Sequence, residues 1–86
     1  MRIKVKLVGF SEAEHLIGGK EIDVHMEGKT FGDLLLHLQK TYGEPVVKNL
    51  RQQILRNGKE WIKRDEMDYS LQDGDQLTFL QMMGGG

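Results

Sequence analysis

Only one stretch of this 86-residue sequence carries the period of a long helix, and segments that alternate every second residue frame it on both sides. Phe31, Leu34, Leu35, Leu38 and Tyr42 recur at the i, i+3, i+4, i+7 spacing of one buried stripe. Thr30 stands where an N-cap side chain accepts from a free N–H of the first turn. Asp33 places a carboxylate near the positive end of the helix dipole. Gly43 suits the C-cap, and Pro45 prevents continuation. One helix cannot enclose a core by itself, so this stripe needs a sheet to lie on.

The alternating segments supply that sheet. Over residues 2–10, Ile3, Val5 and Leu7 share one face and Arg2, Lys4 and Lys6 the other. Val8 and Phe10 continue the charged face, which turns apolar toward the strand's end. Ser11-Glu12-Ala13-Glu14 has the form of a capping box, which predicts one or two helical turns through Leu16, ended by Gly18-Gly19. Ile22, Val24 and Met26 alternate with Glu21, Asp23 and His25 in a second strand, followed by a turn at Glu27-Gly28-Lys29. After an irregular helical turn over 46–52, two short strands flank Asn57-Gly58, the pair that a type I′ hairpin turn favours. Asp73-Gly74-Asp75 forms another tight turn before a last strand, Gln76–Met82. That strand is apolar on both faces, as expected of a central strand or of one whose outer face meets a partner. The expected class is α+β, a sheet of about five strands with one main helix across one face.

Composition narrows the function. The length allows one domain. With no Cys, the chain has no disulfide, no thiolate nucleophile and no zinc–thiolate site, which fits a reducing compartment such as the cytoplasm. Twelve Lys and Arg against thirteen Asp and Glu leave a net charge of −1, which gives no reason to expect nucleic acid or a membrane as partner. No apolar run approaches the ~20 residues of a spanning helix. His15, His25 and His37 share no metal-ligand spacing, and Asp73 and Asp75 read as turn formers. Ser11 and Ser70 lack the context of a catalytic triad. Lys4, Lys6, Lys59, Lys63 and Arg64 read as solvated charge, and Trp61 as a core or edge-packing residue. Eleven glycines exceed the roughly six that average usage gives, and three of them, Gly84, Gly85 and Gly86, are the last three residues.

Taken together these residues resemble the MoaD/ThiS family, the small sulfur-carrying subunit of molybdopterin synthase and the thiamine sulfur carrier. The resemblance rests on Thr30-Phe31-Gly32-Asp33-Leu34-Leu35, on Leu71-Gln72-Asp73-Gly74-Asp75-Gln76-Leu77-Thr78-Phe79, and on the glycines a few residues later. It implies a ubiquitin-like β-grasp domain over 1–81 and a flexible glycine tail over 82–86. It also implies an E1-like adenylating enzyme that spends ATP on the terminal carboxylate, the chain itself binding no cofactor and no metal. A sulfur donor then makes a thiocarboxylate at Gly86, or at Gly85 if one residue is trimmed, with Gly84 and Gly85 as the tail. The sulfur next passes to a small molecule in the large subunit of molybdopterin synthase or an equivalent enzyme. On this reading the chain is a carrier or non-catalytic subunit, most similar to the molybdopterin type. The rival readings are a ubiquitin-like modifier joined to lysines, a thiamine sulfur carrier, and an inert β-grasp interaction module.

The family usually ends in two glycines and often has prolines before them, where this chain reads Gln81-Met82-Met83. Glycine suits a threading tail because it lacks a Cβ. In a β-grasp sheet the first and last strands are parallel neighbours. Val8, Phe10, Leu80, Met82 and Met83 would then form a partner-docking patch beside the tail; alternatively Val8 and Phe10 pack beneath the 11–19 loop.

Overall fold

A computed structural model describes residues 1–48, 50, 53–63 and 65–81. The chain runs β1 (Arg2–Val8), α1 (Ser11–Ile17), β2 (Glu21–His25), α2 (Phe31–Tyr42), α3 (Glu44–Lys48), β3 (Gln53–Arg56), β4 (Glu60–Ile62) and β5 (Gln76–Leu80). The five strands form one mixed sheet in the order β2-β1-β5-β3-β4. β5 lies in the middle, parallel to β1 and antiparallel to β3. This is the β-grasp arrangement expected from the sequence.

Alternation places Ile3, Val5, Leu7, Leu77, Phe79, Ile54 and Ile62 on the face that α2 covers, and all are buried. From α2, Phe31, Leu34, Leu35 and Leu38 complete this core, and the Phe31 and Phe79 rings stack at 6.3 Å. Thr30 caps α2 as read: its Oγ1 accepts from Asp33 N–H at 3.1 Å, and the Asp33 carboxylate accepts from Thr30 N–H in return. Backbone N–H donation from Lys29 and then Thr30, with the Thr30 hydroxyl, holds the Asp33 carboxyl below its ordinary range. Gly32 sits in this first turn, where glycine is ordinarily unfavourable, because a Cβ there would lie 2.9 Å from the Met67 carbonyl oxygen.

Several local expectations are corrected. Ser11 does not cap α1. Phe10 occupies the N-cap position, no side chain bonds the cap, and Ser11 is already the first helical residue. Pro45 ends α2 but opens α3, standing in its first turn where its missing N–H costs nothing. The hairpin turn has positive φ at Asn57 and Gly58 as expected, yet pairing begins at Arg56↔Glu60, leaving Lys59 in the loop as well.

Asp75 does more than form a turn. It is 5% exposed and accepts from Arg56 Nε at 2.8 Å, Arg56 Nη2 at 3.3 Å, Asn57 Nδ2 at 3.1 Å and Gln72 N–H at 2.8 Å. It therefore ties the entry to β5 onto the β3–β4 hairpin. Asp73 accepts from Arg2 N–H at 2.7 Å and ties the same turn to the start of β1. Among the described residues, no helix is long and apolar enough to cross a membrane.

Candidate functional site

β1 and β5 run side by side and end together. Val8 pairs with Leu80 in parallel register, and Gln81 N–H donates to the Val8 carbonyl at 3.0 Å. That bond holds Gln81 beside the end of β1. Val8 is 43% exposed and Leu80 is half-buried. The next pair in register, Leu80 with Gln53 of β3, continues that row on the face away from α2. A neighbouring row crosses the whole sheet: Glu21, Lys6, Thr78, Leu55 and Trp61 stand next to one another on all five strands.

Phe10 is not part of this face. It is 5% exposed and belongs to the core cluster with Ala13 and Val46. The reason is Gly9, whose φ of +88° breaks the strand's alternation after Val8 and turns Phe10 inward. Of the paired alternatives, Val8 lies on the open face and Phe10 packs inward beside α1. Met82, Met83, Gly84, Gly85 and Gly86 lie outside the described residues, as does Arg64.

Gly9 itself escaped the sequence reading. A Cβ at this position would lie 3.2 Å from the Gln81 Cβ, so Gly9 lets the exiting chain pass close to the end of β1. The signal available in the sequence was a glycine ending an otherwise regular alternation. Gly9→Ala is expected to cost about 1–3 kcal/mol, from the left-handed backbone alone, and to loosen the Gln81–Val8 bond. Denaturant unfolding and hydrogen exchange at the Gln81 amide measure these two effects. A stable variant with an equally protected amide would contradict the close approach.

Trp61 is the second departure. It is not core: it stands on β4, a three-residue edge strand, paired with Leu55, and the residue is 60% exposed. Leu55, its neighbour on β3, is half-buried.

The charged groups divide by position. Lys4 pairs with Glu21 at 3.2 Å near the β2 edge. His25 and His37 line one open cleft with Met1, Arg2 and Asp73. That cleft lies at the opposite end of β1 from Gln81. Among the described residues, no group of three or more His, Cys, Asp or Glu is placed to hold a metal ion. Around Gln81 the arrangement is thus a partly apolar sheet face where β1 and β5 end together.

Residues 9–86 match the family model described as the ThiS family. No curated protein matches the chain by sequence. Solved structures share the fold. SAMP1 from Haloferax volcanii is 21% identical with a TM-score of 0.71, and the match covers 100% of each chain. A chain in the complex of subunits 1 and 2 of molybdopterin-converting factor from Helicobacter pylori is 23% identical, with a TM-score of 0.64 and 100% of each chain covered. Small archaeal modifier protein 1 from Methanosarcina acetivorans is 25% identical with a TM-score of 0.67, covering 99% of this chain and 96% of that one.

Proposed function

Because this chain belongs to the ThiS family, we propose that it carries sulfur on its terminal glycine, as a non-catalytic partner of two enzymes in molybdopterin synthesis. The observation that carries the reading is the chain exit. The Gln81–Val8 bond holds Gln81 where β1 and β5 end together, and in the sequence residues 82–86, ending in three glycines, follow. Fully extended, five residues reach roughly 17 Å, enough to enter a partner's site from outside.

The chemistry needs a partner because a carboxylate is a poor electrophile, ionised at neutral pH with a reference pKa of ~3.3–3.7. In the proposed sequence, a carboxylate oxygen of Gly86 attacks the α-phosphate of ATP bound to the adenylating enzyme, and pyrophosphate leaves. A sulfide-level donor then attacks the acyl carbon. The bond from that carbon to the AMP oxygen breaks, AMP departs, and a thiocarboxylate remains. The large subunit of molybdopterin synthase next takes the sulfur for its small-molecule precursor. Gly84 and Gly85 keep the carbonyl free of side chains, and Gly85 takes the reactive role if the last residue is trimmed. Val8 and Leu80 serve as the docking patch for these partners.

The molybdopterin assignment draws on the full-length likeness to the H. pylori subunit. A second reading draws on the likeness to SAMP1 and to small archaeal modifier protein 1, in which Gly86 is joined to lysines of other proteins. Reconstitution separates them. The thiocarboxylated chain, mixed with the large subunit and a sulfur-free precursor, is expected to give molybdopterin. Branched Gly-to-Lys peptides without molybdopterin would favour the modifier, and sulfur transfer only to a thiazole precursor would favour the thiamine carrier.

A further inference from the structure

The helix side of the molecule carries an open groove that the fold leaves unfilled. Gly32, Leu35 and Leu36 of α2 line it on one side, and Glu44, Val47 and Lys48 of α3 on the other. Leu35 is buried and Val47 half-buried, so the floor is apolar. Leu36 is 49% exposed, because the helical period turns it away from Leu34 and Leu38, which face the sheet. It therefore adds nothing to the core, yet it stands at the groove's rim. Glu44 and Lys48 are also exposed, one helical turn apart, and among the described residues neither makes an ion pair.

We propose that the α2–α3 groove is the contact face of a weak, two-fold symmetric dimer of this chain. The occupant is a second copy because the face complements itself. An acidic partner would be drawn to Lys48 and repelled by Glu44, and a basic partner the reverse. A copy related by a two-fold axis across the groove satisfies both. Such an axis sets α3 against α3 in opposite directions, so each Glu44 meets Lys48 of the other copy. The same axis reverses α2 and lays each Leu36 toward Gly32 of the other copy, where the absent side chain leaves room. The fold demands glycine there for its own reason, the close Met67 carbonyl, and the hollow is the consequence. Every contact in the dimer occurs twice. Because it involves parts of two short helices, the contact falls short of the ~800 Å² per partner of a stable complex, and the dimer is weak. Val8 and Leu80 lie on the other face of the sheet from α2, so the dimer leaves them open, and the proposal does not depend on the carrier reading.

The test is sedimentation equilibrium of the full chain from about 10 µM to about 1 mM. The parent's mass is expected to rise from 9.9 kDa toward twice that value with concentration. Leu36→Glu should weaken association at least about 10-fold, since each dimer loses two apolar contacts and gains two buried carboxylates. Glu44→Lys should weaken it about fivefold, and combining it with Lys48→Glu should restore it to within about twofold of the parent. Thermal unfolding of dilute samples should stay near the parent's, since all three side chains are exposed. If Leu36→Glu unfolds early, the charge exchange carries the test alone. A parent that stays monomeric throughout overturns the proposal. So does a dimer that survives in a folded Leu36→Glu, or one that Glu44→Lys weakens and the double exchange fails to restore. A monomeric parent whose folded Leu36→Glu variant no longer accepts or delivers sulfur would assign the groove to another protein and also overturn it.

Discussion

Deletion of Gly85 and Gly86 is expected to reduce thiocarboxylate formation to background while leaving the unfolding midpoint unchanged. The first half follows from reach. Removing two residues withdraws the terminal carbonyl by up to about 7 Å. Reacting atoms must approach to ~3–3.5 Å, and a misplacement of 1 Å already costs about 10²-fold. The second half follows from packing. The last residue of the buried core is Phe79, and the last described bond to the sheet is made by Gln81. Neither is altered by the deletion. Parallel measurement of thermal unfolding and of ATP-dependent charging separates the two effects. A shortened chain that still charges would remove the tail from the mechanism. A shortened chain that unfolds early would show that the deletion acts on the fold.

The largest expected effect on stability is at the other end of β5. Asp75→Ala should destabilise the domain by about 3–5 kcal/mol, because it strips a buried ion pair of one partner and leaves the other charged. Arg56 retains Glu60 at 3.1 Å and the Tyr69 hydroxyl, but Glu60 is largely exposed to water and replaces little of the lost attraction. Folded domains hold only ~5–15 kcal/mol in reserve, so the variant is expected to stand close to its unfolding transition. At about 4–8 °C per kcal/mol for a chain of this size, the midpoint falls by well over 10 °C.

The same site sets an acid limit. Burial alone would raise the Asp75 carboxyl; donation from Arg56, the Gln72 N–H and Asn57 outweighs it, and the net shift is downward from 3.8. A carboxyl depressed in the folded state contributes stability that is fully present above its unfolded pKa. That stability is lost as pH falls through the folded value. Urea midpoints should therefore hold down to about pH 4 and then decline. Asp75→Asn should start lower at neutral pH and decline less steeply in acid. An unchanged midpoint in Asp75→Ala would show that the buried pair contributes nothing net.

How far the sequence disclosed this molecule depends on the range of the interaction. α2 was legible because its stripe, its Thr30–Asp33 cap and its Gly43 end all lie within one short segment. β1 and β2 were legible for the same reason, since alternation is a local record of which face is buried. Phe10 was misplaced because one backbone angle at Gly9 reverses the alternation, and residue type alone does not disclose that angle. The same turn displaced the α1 cap from Ser11 to Phe10. Asp75 read as a turn residue because its partner Arg56 lies 19 positions earlier and meets it only through the pairing of β3 with β5. Trp61 was ambiguous because three residues are too few to establish a period. The row joining it to Leu55 and Thr78 exists only once the strand order is known.

Sulfur carriage comes down to one chemical event at one atom, and the sequence makes it cleanly measurable. The chain contains no Cys, so a thiol-selective alkylating reagent near neutral pH finds a target only where sulfur has been added. Intact mass alone is ambiguous, because exchanging oxygen for sulfur nearly equals oxidation of one of the five Met residues. The decisive measurement is incubation with host lysate, ATP and a sulfur donor, followed by alkylation and peptide mapping. The expected result is an adduct on the C-terminal residue, Gly86 or a trimmed Gly85, that forms only when ATP is present. Absence of any ATP-dependent adduct at the C-terminus, in a lysate that charges a known carrier under the same conditions, would contradict the carrier function.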